Sequence, residues 1–338
     1  MLIIQTFKVE LATREEIINL TEKLKTEGIY TKADAIAMVG ISRSKYYHWN
    51  GRRGIANRHN GEIPCKNCLT PHERADLINY AKTKYSENTQ YLRIGYRRLA
   101  HEMLDKGIVV ASSSTVYAVL KPTGLLNRWN TTKTSRRGTG YIQPEYPHQE
   151  WHTDIKYVLH EGNYVYFISV LDGYSRYSLH HELRLTMTEL DTELIVQKAL
   201  DKYPTAKPKI ISDNGSQYKS REFRRFIREA ELAHARTSPA YPQSNGKIER
   251  FHRSYNEECI ETKSMLSLND LRNQTEQWVN YYNTKRAHSS LYYLTPEDFL
   301  KGRVDEKLKV REEKVKQAIE ARRKYWEENK KAISHEIS

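Results

Sequence analysis

The sequence predicts a multidomain chain: N-terminal all-α helix-turn-helix units, then an α/β layer with a mixed sheet, then C-terminal helices. Three observations carry this. Before residue 127, short helical patterns are punctuated by Gly turns. From Trp151 the chain changes to runs rich in β-branched and aromatic residues. After those runs, helical and strand patterns alternate, as they do where helices pack on a sheet. The chain has 338 residues, room for roughly two to four domains.

Residues 10–50 read as the first helical unit. "TREEIINLTEKLKTEG" sets Ile17, Ile18 and Leu24 at helical spacing and stops at Gly28. "TKADAIAMVGISRSKYYHW" gives a short helix, a turn at Gly40 and a helix capped by Ser42, the helix-turn-helix pattern. Its second helix would offer Arg43, Ser44, Lys45 and Tyr47 to phosphates and base edges. An ordinary three-helix bundle is the other reading. Residues 51–69 form a Gly- and cation-rich linker. Its Cys65 and Cys68 make a CxxC near His48, His59 and His72, open to zinc, although no second Cys pair or paired His follows.

Residues 70–127 form a second unit. Thr70 caps a helix with Pro71 at its first position, "IGYRRLAHEMLDKG" ends at Gly107, and "SSSTVYAVLKPTGL" starts on serine caps as another recognition-type helix. Lys106 to Pro144 holds six Lys or Arg and no acid. The linker 128–147, with Arg128, Arg136 and Arg137, thus reads as a strap along a DNA backbone or as a solvated linker.

Residues 148–262 carry the α/β pattern. "WHTDIKYVLH" and "YVYFISVLDGY" are strands joined by the turn signal "EGN", and "YSLHHEL" is a third strand. "TMTELDTELIVQKALDKY" is helical. "PKIISDNGSQY" is a strand running into an Asp-Asn-Gly turn. "SREFRRFIREAEL" is a helix capped by Ser220, "AHARTSP" a strand, and "NGKIERFHRSYNEECI" a helix. Residues 263–302 read as a helical segment. The charged tail, 303–338, reads as a helix with Leu308, Val315, Ile319 and Trp326 on one face, better suited to solvent than to a partner.

Charge narrows the partners. The formal net charge is +13, and such a field attracts polyanions, nucleic acid foremost, though a merely soluble basic protein has the same balance. No apolar run approaches a membrane span, and the start lacks the pattern of a signal peptide. Three Cys are no disulfide framework, so a reducing compartment is expected, the cytoplasm with association to the nucleoid.

Phosphoryl transfer on DNA needs an oxygen nucleophile in line and charge neutralised on the attacking and leaving oxygens. Two Mg²⁺ ions roughly 3.5–4 Å apart do this, held by a few carboxylates. Three acids sit where such a site needs them: Asp154 in the first strand, Asp213 at the end of "KIIS", and Glu249 in the opening turns of the helix after "SPAYPQSNGK". An acid at the end of a parallel strand stands where open α/β sheets place ligands. Each has a structural alternative. Asp213 suits an Asx turn, Asp154 a polar face of its strand, and Glu249 an i,i+4 ion pair with Arg253. Asp172 in "LDGYSR" reads as a turn residue, and Glu257 and Glu258 as solvated.

Taken together, "WHTDIKYV", "YFISVLDGYSRY", "ISDNGSQYKSREF", "HARTSPAYPQSNGKIERFHRS" and "YNTKRAHSSLYYLTPEDF" resemble the catalytic region of insertion-sequence transposases of the retroviral-integrase type. Thirty-five residues separate Asp213 from Glu249, as in the D,D(35)E pattern of that superfamily. The upstream "YLRIGYRRLAHEMLDKG…SSSTVYAVLKPTGL" resembles the helix-turn-helix segment that precedes the core in these transposases. The resemblance implies an RNase H-like core at 148–262 with an integrase-type helical segment after it. It places the metal-binding acids at Asp154, Asp213 and Glu249, with Mg²⁺ as cofactor, two ions per site and Mn²⁺ as substitute. It further implies cleavage of double-stranded DNA at element ends by a metal-activated water, then attack of the freed 3′-OH on another strand. Gln243, Asn245, Lys247 and Arg253 are then expected DNA contacts, on a loop that shifts as DNA enters and on the helix behind it. A homo-oligomer, dimer or more, is expected in the DNA complex. The zinc module of retroviral integrases is not carried over, because the His spacing differs. The in-frame N-terminal helices lead to the expectation of a complete transposase. Two other functions stay open: a metal-dependent nuclease of the same fold without strand transfer, and a domesticated DNA-binding protein, whose expected mark is a lost acid.

Overall fold

The computed structural model describes residues 11–28, 30–54, 67–86, 94–126, 143–236 and 245–336. The chain divides into two compact units, Met1–Lys66 with Glu328–Ser338, and Asn67–Glu327. Among the described residues no helix is long and apolar enough to cross a membrane. Arg128, Arg136, Arg137, Gln243 and Cys65 lie outside the described residues.

In the first unit, α1 (Leu11–Thr26), α2 (Lys32–Met38) and α3 (Arg43–Asn50) pack through Ile18, Ile36, Ile41, Tyr46 and Trp49. Both short helices are capped, at Ser42 as the sequence suggests and at Thr31. The Thr31 hydroxyl accepts from Asp34 N and the Ser42 hydroxyl from Lys45 N, at 3.3 and 3.2 Å. Gly40 supplies the left-handed φ, 76°, that turns the chain between α2 and α3. With Tyr46 and Trp49 buried, Arg43, Ser44 and Tyr47 are left exposed, and Lys45 is half-buried with its ammonium 4.9 Å from the Trp49 ring.

The second unit begins with three more helices, α4 (Pro71–Ser86), α5 (Tyr96–Lys106) and α6 (Ser113–Leu120). Leu77, Leu99, Met103, Val116 and Leu120 form their core. Thr70 and Glu73 cap α4 reciprocally, each side chain accepting the other's backbone N–H.

A five-stranded sheet follows: β1 (Glu150–His160), β2 (Asn163–Asp172), β3 (Ser178–Arg184), β4 (Lys209–Ser212) and β5 (Ala233–Arg236), in the order β3-β2-β1-β4-β5. β1 and β2 form the expected hairpin, turning on Glu161 and Gly162, both with positive φ as a tight two-residue turn demands. β3 adds antiparallel to β2, and β4 and β5 add parallel on the other side of β1. Parallel neighbours need crossovers, and helices supply them. These are α7 (Glu189–Lys202), α8 (Ser216–Lys219) and α9 (Arg221–Glu229), while α10 (Gly246–Tyr255) and α11 (Leu268–Thr284) come after β5. Strand alternation sends Trp151, Ile168 and Val170 to the face covered by α7 and α9, and Val158, Phe167 and Leu171 to the face covered by α10 and α11. This is the mixed sheet between helices that the sequence predicts.

Two sequence expectations fail here. Glu258 is not solvated: it is 4 % exposed and its carboxylate takes both Arg286 Nε and Nη2, at 2.7 and 2.6 Å, with Arg98 Nη1 3.5 Å away. The partners lie far off in sequence, so local pattern gives no hint of them.

The tail is not a solvated helix either. After α12 (Pro296–Leu300), α13 (Val304–Glu336) lies along the α4–α6 group. It docks through Arg311 on Asp105, Arg322 on Glu73 and Trp326 Nε1 on the Cys68 carbonyl. Val315, expected on the apolar face, is exposed. The contact is made by polar heads on long side chains, a pattern that hydrophobic periodicity does not register.

Arg311 also donates to the carbonyls of Tyr292 and Tyr293, two successive non-glycine residues at φ 51° and 57°. Left-handed backbone of this kind persists only where neighbours hold it. Arg311→Met should therefore destabilise the unit by about 2 kcal/mol, the scale of hydrogen bonds to a charged group. Urea denaturation checks this, and an unchanged midpoint would refute it.

Candidate active site

β1 carries the first acid. Trp151, Thr153 and Ile155 point to the α7–α9 side, where the Thr153 hydroxyl meets the buried Tyr218 hydroxyl at 3.1 Å. Asp154, between them, points to the α10 side. One of its oxygens, Oδ1, accepts from Ile155 N at 2.9 Å, and Oδ2 lies 3.5 Å from His252 Nδ1 on α10. His252 is buried, and its Nε2 is 2.9 Å from the Ser169 hydroxyl on β2.

The second acid stands beside the first. The parallel register pairs Trp151 with Ile210 and His152 with Ile211. Two further steps bring Asp213, just past the end of β4, level with Asp154. The Gly215 N–H donates to Asp213 Oδ1 at 2.9 Å, so the Asx turn is real. It also fixes the carboxylate. A Cβ on Gly215 would come within 3.0 Å of that same oxygen, so glycine keeps the approach open.

Burial pushes the Asp213 carboxyl above its ordinary value, Asp154's charge adds to this, and the Gly215 N–H and Lys219 oppose it. Tyr218 is pushed up as well, by burial first and then by Asp154. A carboxyl raised by burial and by a neighbouring carboxylate lacks enough positive charge around it. Hard oxygen donors in that state suit Mg²⁺, which is bound by one or two carboxylates while keeping several waters.

Glu249 stands in the first turn of α10, where a carboxylate complements the helix dipole. It is exposed, and among the described residues its carboxylate has no ion pair, with Arg253 or any other cation. Being three residues before His252, it shares the helix face that meets Asp154. Among the described residues no three His, Cys, Asp or Glu side chains are gathered closely enough to enclose an ion. The structure thus brings Asp154 and Asp213 together and leaves Glu249 on the adjoining helix face.

The remaining expected contacts divide. Arg253 is exposed on α10. Asn245 is buried at the start of α10, its carbonyl accepting from Glu249 N. Lys247 is turned inward, Nζ donating to the Gly173 carbonyl at 2.9 Å. Burial first, and then Arg176, bring its pKa down to about 7. Neither has the open position of a phosphate contact. Asp172, read as a turn residue, is one: its buried carboxylate accepts from His148 N, Ser175 N and the Ser175 hydroxyl. Sequence reading missed His252. Its position three residues after Glu249 puts it on a neighbouring part of the helix, but does not fix which face of that helix meets the sheet.

Comparison with known proteins agrees with this architecture. Two models described as "Integrase core domain" match residues 144–242 and 230–296. The ORF3 protein of Spiroplasma virus SpV1-C74 is 34% identical over 104 residues, covering 27% of this chain and 29% of that protein. The 39.2 kDa protein of insertion element IS476 from Xanthomonas euvesicatoria is 24% identical over 276 residues, 78% of this chain and 71% of that protein. The transposase of insertion sequence element IS904 from Lactococcus lactis is 23% identical over 243 residues, 68% of this chain and 95% of that protein. The chain thus carries an integrase core domain on its mixed sheet and is similar, over most of its length, to insertion-sequence transposases of the retroviral-integrase type.

Proposed function

We propose that this DDE-type polynucleotidyl transferase binds the ends of its own element, nicks the DNA there, and joins the freed 3′-OH to a second duplex. The observation that carries the reading is the carboxylate pair Asp154–Asp213, set just past the stretch where β1 and β4 run parallel. Asp154 and Asp213 would hold the metal, and Glu249 would complete the set from α10. When bound there, Mg²⁺, two ions per site with Mn²⁺ as substitute, would supply charge neutralisation at the attacking and leaving oxygens. The chain's own residues set the geometry. His252, braced by Ser169, fixes Asp154, and the Gly215 N–H fixes Asp213. No protein–DNA covalent bond is needed, because the nucleophile in each step is water or a DNA 3′-OH.

The helical groups α1–α3 and α4–α6 serve as the readers of the element ends. The exposed Arg43, Ser44 and Tyr47 on α3 support this for the first group, and the serine-capped α6, with Ser114 and Tyr117 exposed, supports it for the second. The protein works on double-stranded DNA in the cytoplasm, at the nucleoid, as a dimer or larger assembly that brings two ends together.

The test uses the full chain, a duplex carrying the terminal repeat that flanks its gene, and a target plasmid in Mg²⁺. Sequenced junctions of element 3′ ends to plasmid are expected. Nicking without junctions would replace the transposase by a nuclease, and end binding without nicking would leave a DNA-binding protein.

A further inference from the structure

α9 carries four arginines that the reading above does not use. Arg221, Arg224, Arg225 and Arg228 are all exposed, while Phe223 and Ile227 are buried in the core beneath the sheet. Spacings of three, four and seven residues put the arginines on one stripe opposite the buried face. Glu222 and Glu229 lie to one side of it. Arg225 reaches Glu229 only at 3.8 Å, and both are well exposed, a pairing of little energetic weight. The Arg224 Nε donates to the Ser220 carbonyl at 3.1 Å, which leaves the rest of its guanidinium outward.

The stripe starts at the candidate active site. Helix α9 returns the chain from β4 to the parallel strand β5, so its N-terminus lies at the sheet edge that carries Asp213. Exposed Lys219, just before its Ser220 cap, is close enough for its charge to act on Asp213. From there the arginines extend about 10.5 Å along the helix, roughly three base steps of one DNA strand.

The stripe also lies on the other face of the sheet from the α4–α6 group. That group meets the core through Arg98 on α5, at Glu258, beside the α10–α11 layer, whereas α9 packs with α7. A duplex read by α6 is thus held from one side, and the α9 arginines face the opposite side. They offer guanidinium forks suited to phosphate oxygens, the contacts that position a duplex without reading its sequence.

We infer that the α9 arginine stripe is the surface that holds the backbone of the target duplex, a second DNA taken without regard to sequence. This rests on the transposase reading and adds to it which face receives the target.

The test compares the full chain with the variant Arg221→Gln, Arg224→Gln, Arg225→Gln and Arg228→Gln, with the four Arg→Lys changes as the charge-preserving control. Circular dichroism and melting establish the fold, and the double variant Arg224→Gln, Arg228→Gln stands in if the fourfold one does not fold. Binding of a mixed-sequence duplex is measured against salt. Each lost phosphate contact lowers the log–log slope by about 0.9, so a decrease of about 2–4 is expected, with little change in the Lys control. Joining to a plasmid should fall at least about tenfold, the scale of 1.4 kcal/mol or more, while nicking of element ends stays unchanged. An unchanged slope and unchanged joining would overturn the inference and leave a solvated face. Equal loss of nicking and joining would also overturn it, placing the element end on α9 instead. Absence of nicking by the wild-type chain would strike the transposase reading itself, so the two failures are distinguishable.

Discussion

Asp154→Asn and Asp213→Asn are each expected to reduce Mg²⁺-dependent nicking of element ends by about a thousandfold or more, with end binding intact. A metal ion contributes several kcal/mol of charge stabilisation to the transition state, and about 4 kcal/mol is roughly a thousandfold in rate. Asn keeps the size and one oxygen of Asp, so the replacements remove charge and little else. At position 213 it keeps the Asx turn as well, because its amide oxygen can still accept the Gly215 N–H. The sign of the stability change separates a metal ligand from a structural acid. Burial and Asp154's charge raise the Asp213 pKa, so the ionised carboxylate at neutral pH opposes folding. Asp213→Asn should then hold or raise the melting temperature in chelator while abolishing nicking. A structural acid would do the reverse, losing stability with activity only following. Glu249→Gln should match the two Asp variants in activity, since no contact of its side chain among the described residues is lost. Full activity in any of the three would sink its assignment as a ligand.

What was legible in the sequence was what neighbours in the chain decide. The β1–β2 hairpin, the caps at Ser42, Thr70 and Ser112, and the Asp213 turn all follow from residues within four positions of one another. The meeting of Asp154 with Asp213 was expected only through the family resemblance, because the parallel pairing of β1 with β4 that brings them level joins strands far apart in sequence. Glu258 was not legible, since its environment is made by Arg286, 28 residues on, and by Arg98 in another helical group. The same holds for α13, where Arg311 and Arg322 reach back more than two hundred residues. Charged residues on a helix look like a solvent face whenever their partners are distant. His252 was hidden for a different reason: its role depends on which face α10 turns to the sheet, and that is set by Ile248, Phe251 and Tyr255 packing on Phe167 and Trp278.

Removing Glu258 should therefore be strongly destabilising to the second unit. Arg286 is buried, donates to both Glu258 oxygens and reaches the Ser254 hydroxyl, and Arg98 stands beside them. Burial pushes the Glu258 carboxyl up, but Arg286 and then Arg98 outweigh it and hold the pKa below the ordinary value. Glu258→Ala leaves two buried guanidinium groups facing one another without an acid. Breaking a buried pair in this way costs about 3–5 kcal/mol, against about 0–1 kcal/mol for the exposed pair Arg225–Glu229. Urea denaturation of the two single variants reads the contrast directly, and a cost below about 1 kcal/mol for Glu258→Ala would refute the buried network. The pH dependence has a definite sign. A carboxylate with a depressed folded pKa contributes its stability above the unfolded value of about 4.3, and loses it as pH falls through the folded value. Wild-type stability should accordingly drop below about pH 4.3 more steeply than that of Glu258→Ala. The triple replacement Glu258→Leu, Arg286→Met and Arg98→Met should recover much of the loss, since apolar groups of similar volume often match a buried ionic cluster. Arg98 belongs to α5 while Glu258 and Arg286 belong to the core, so that triple variant separates two roles of one network. If stability returns while cutting at element ends does not, the ionic contact sets how the α4–α6 group is held against the acid pair. If both return, apolar packing suffices for that placement.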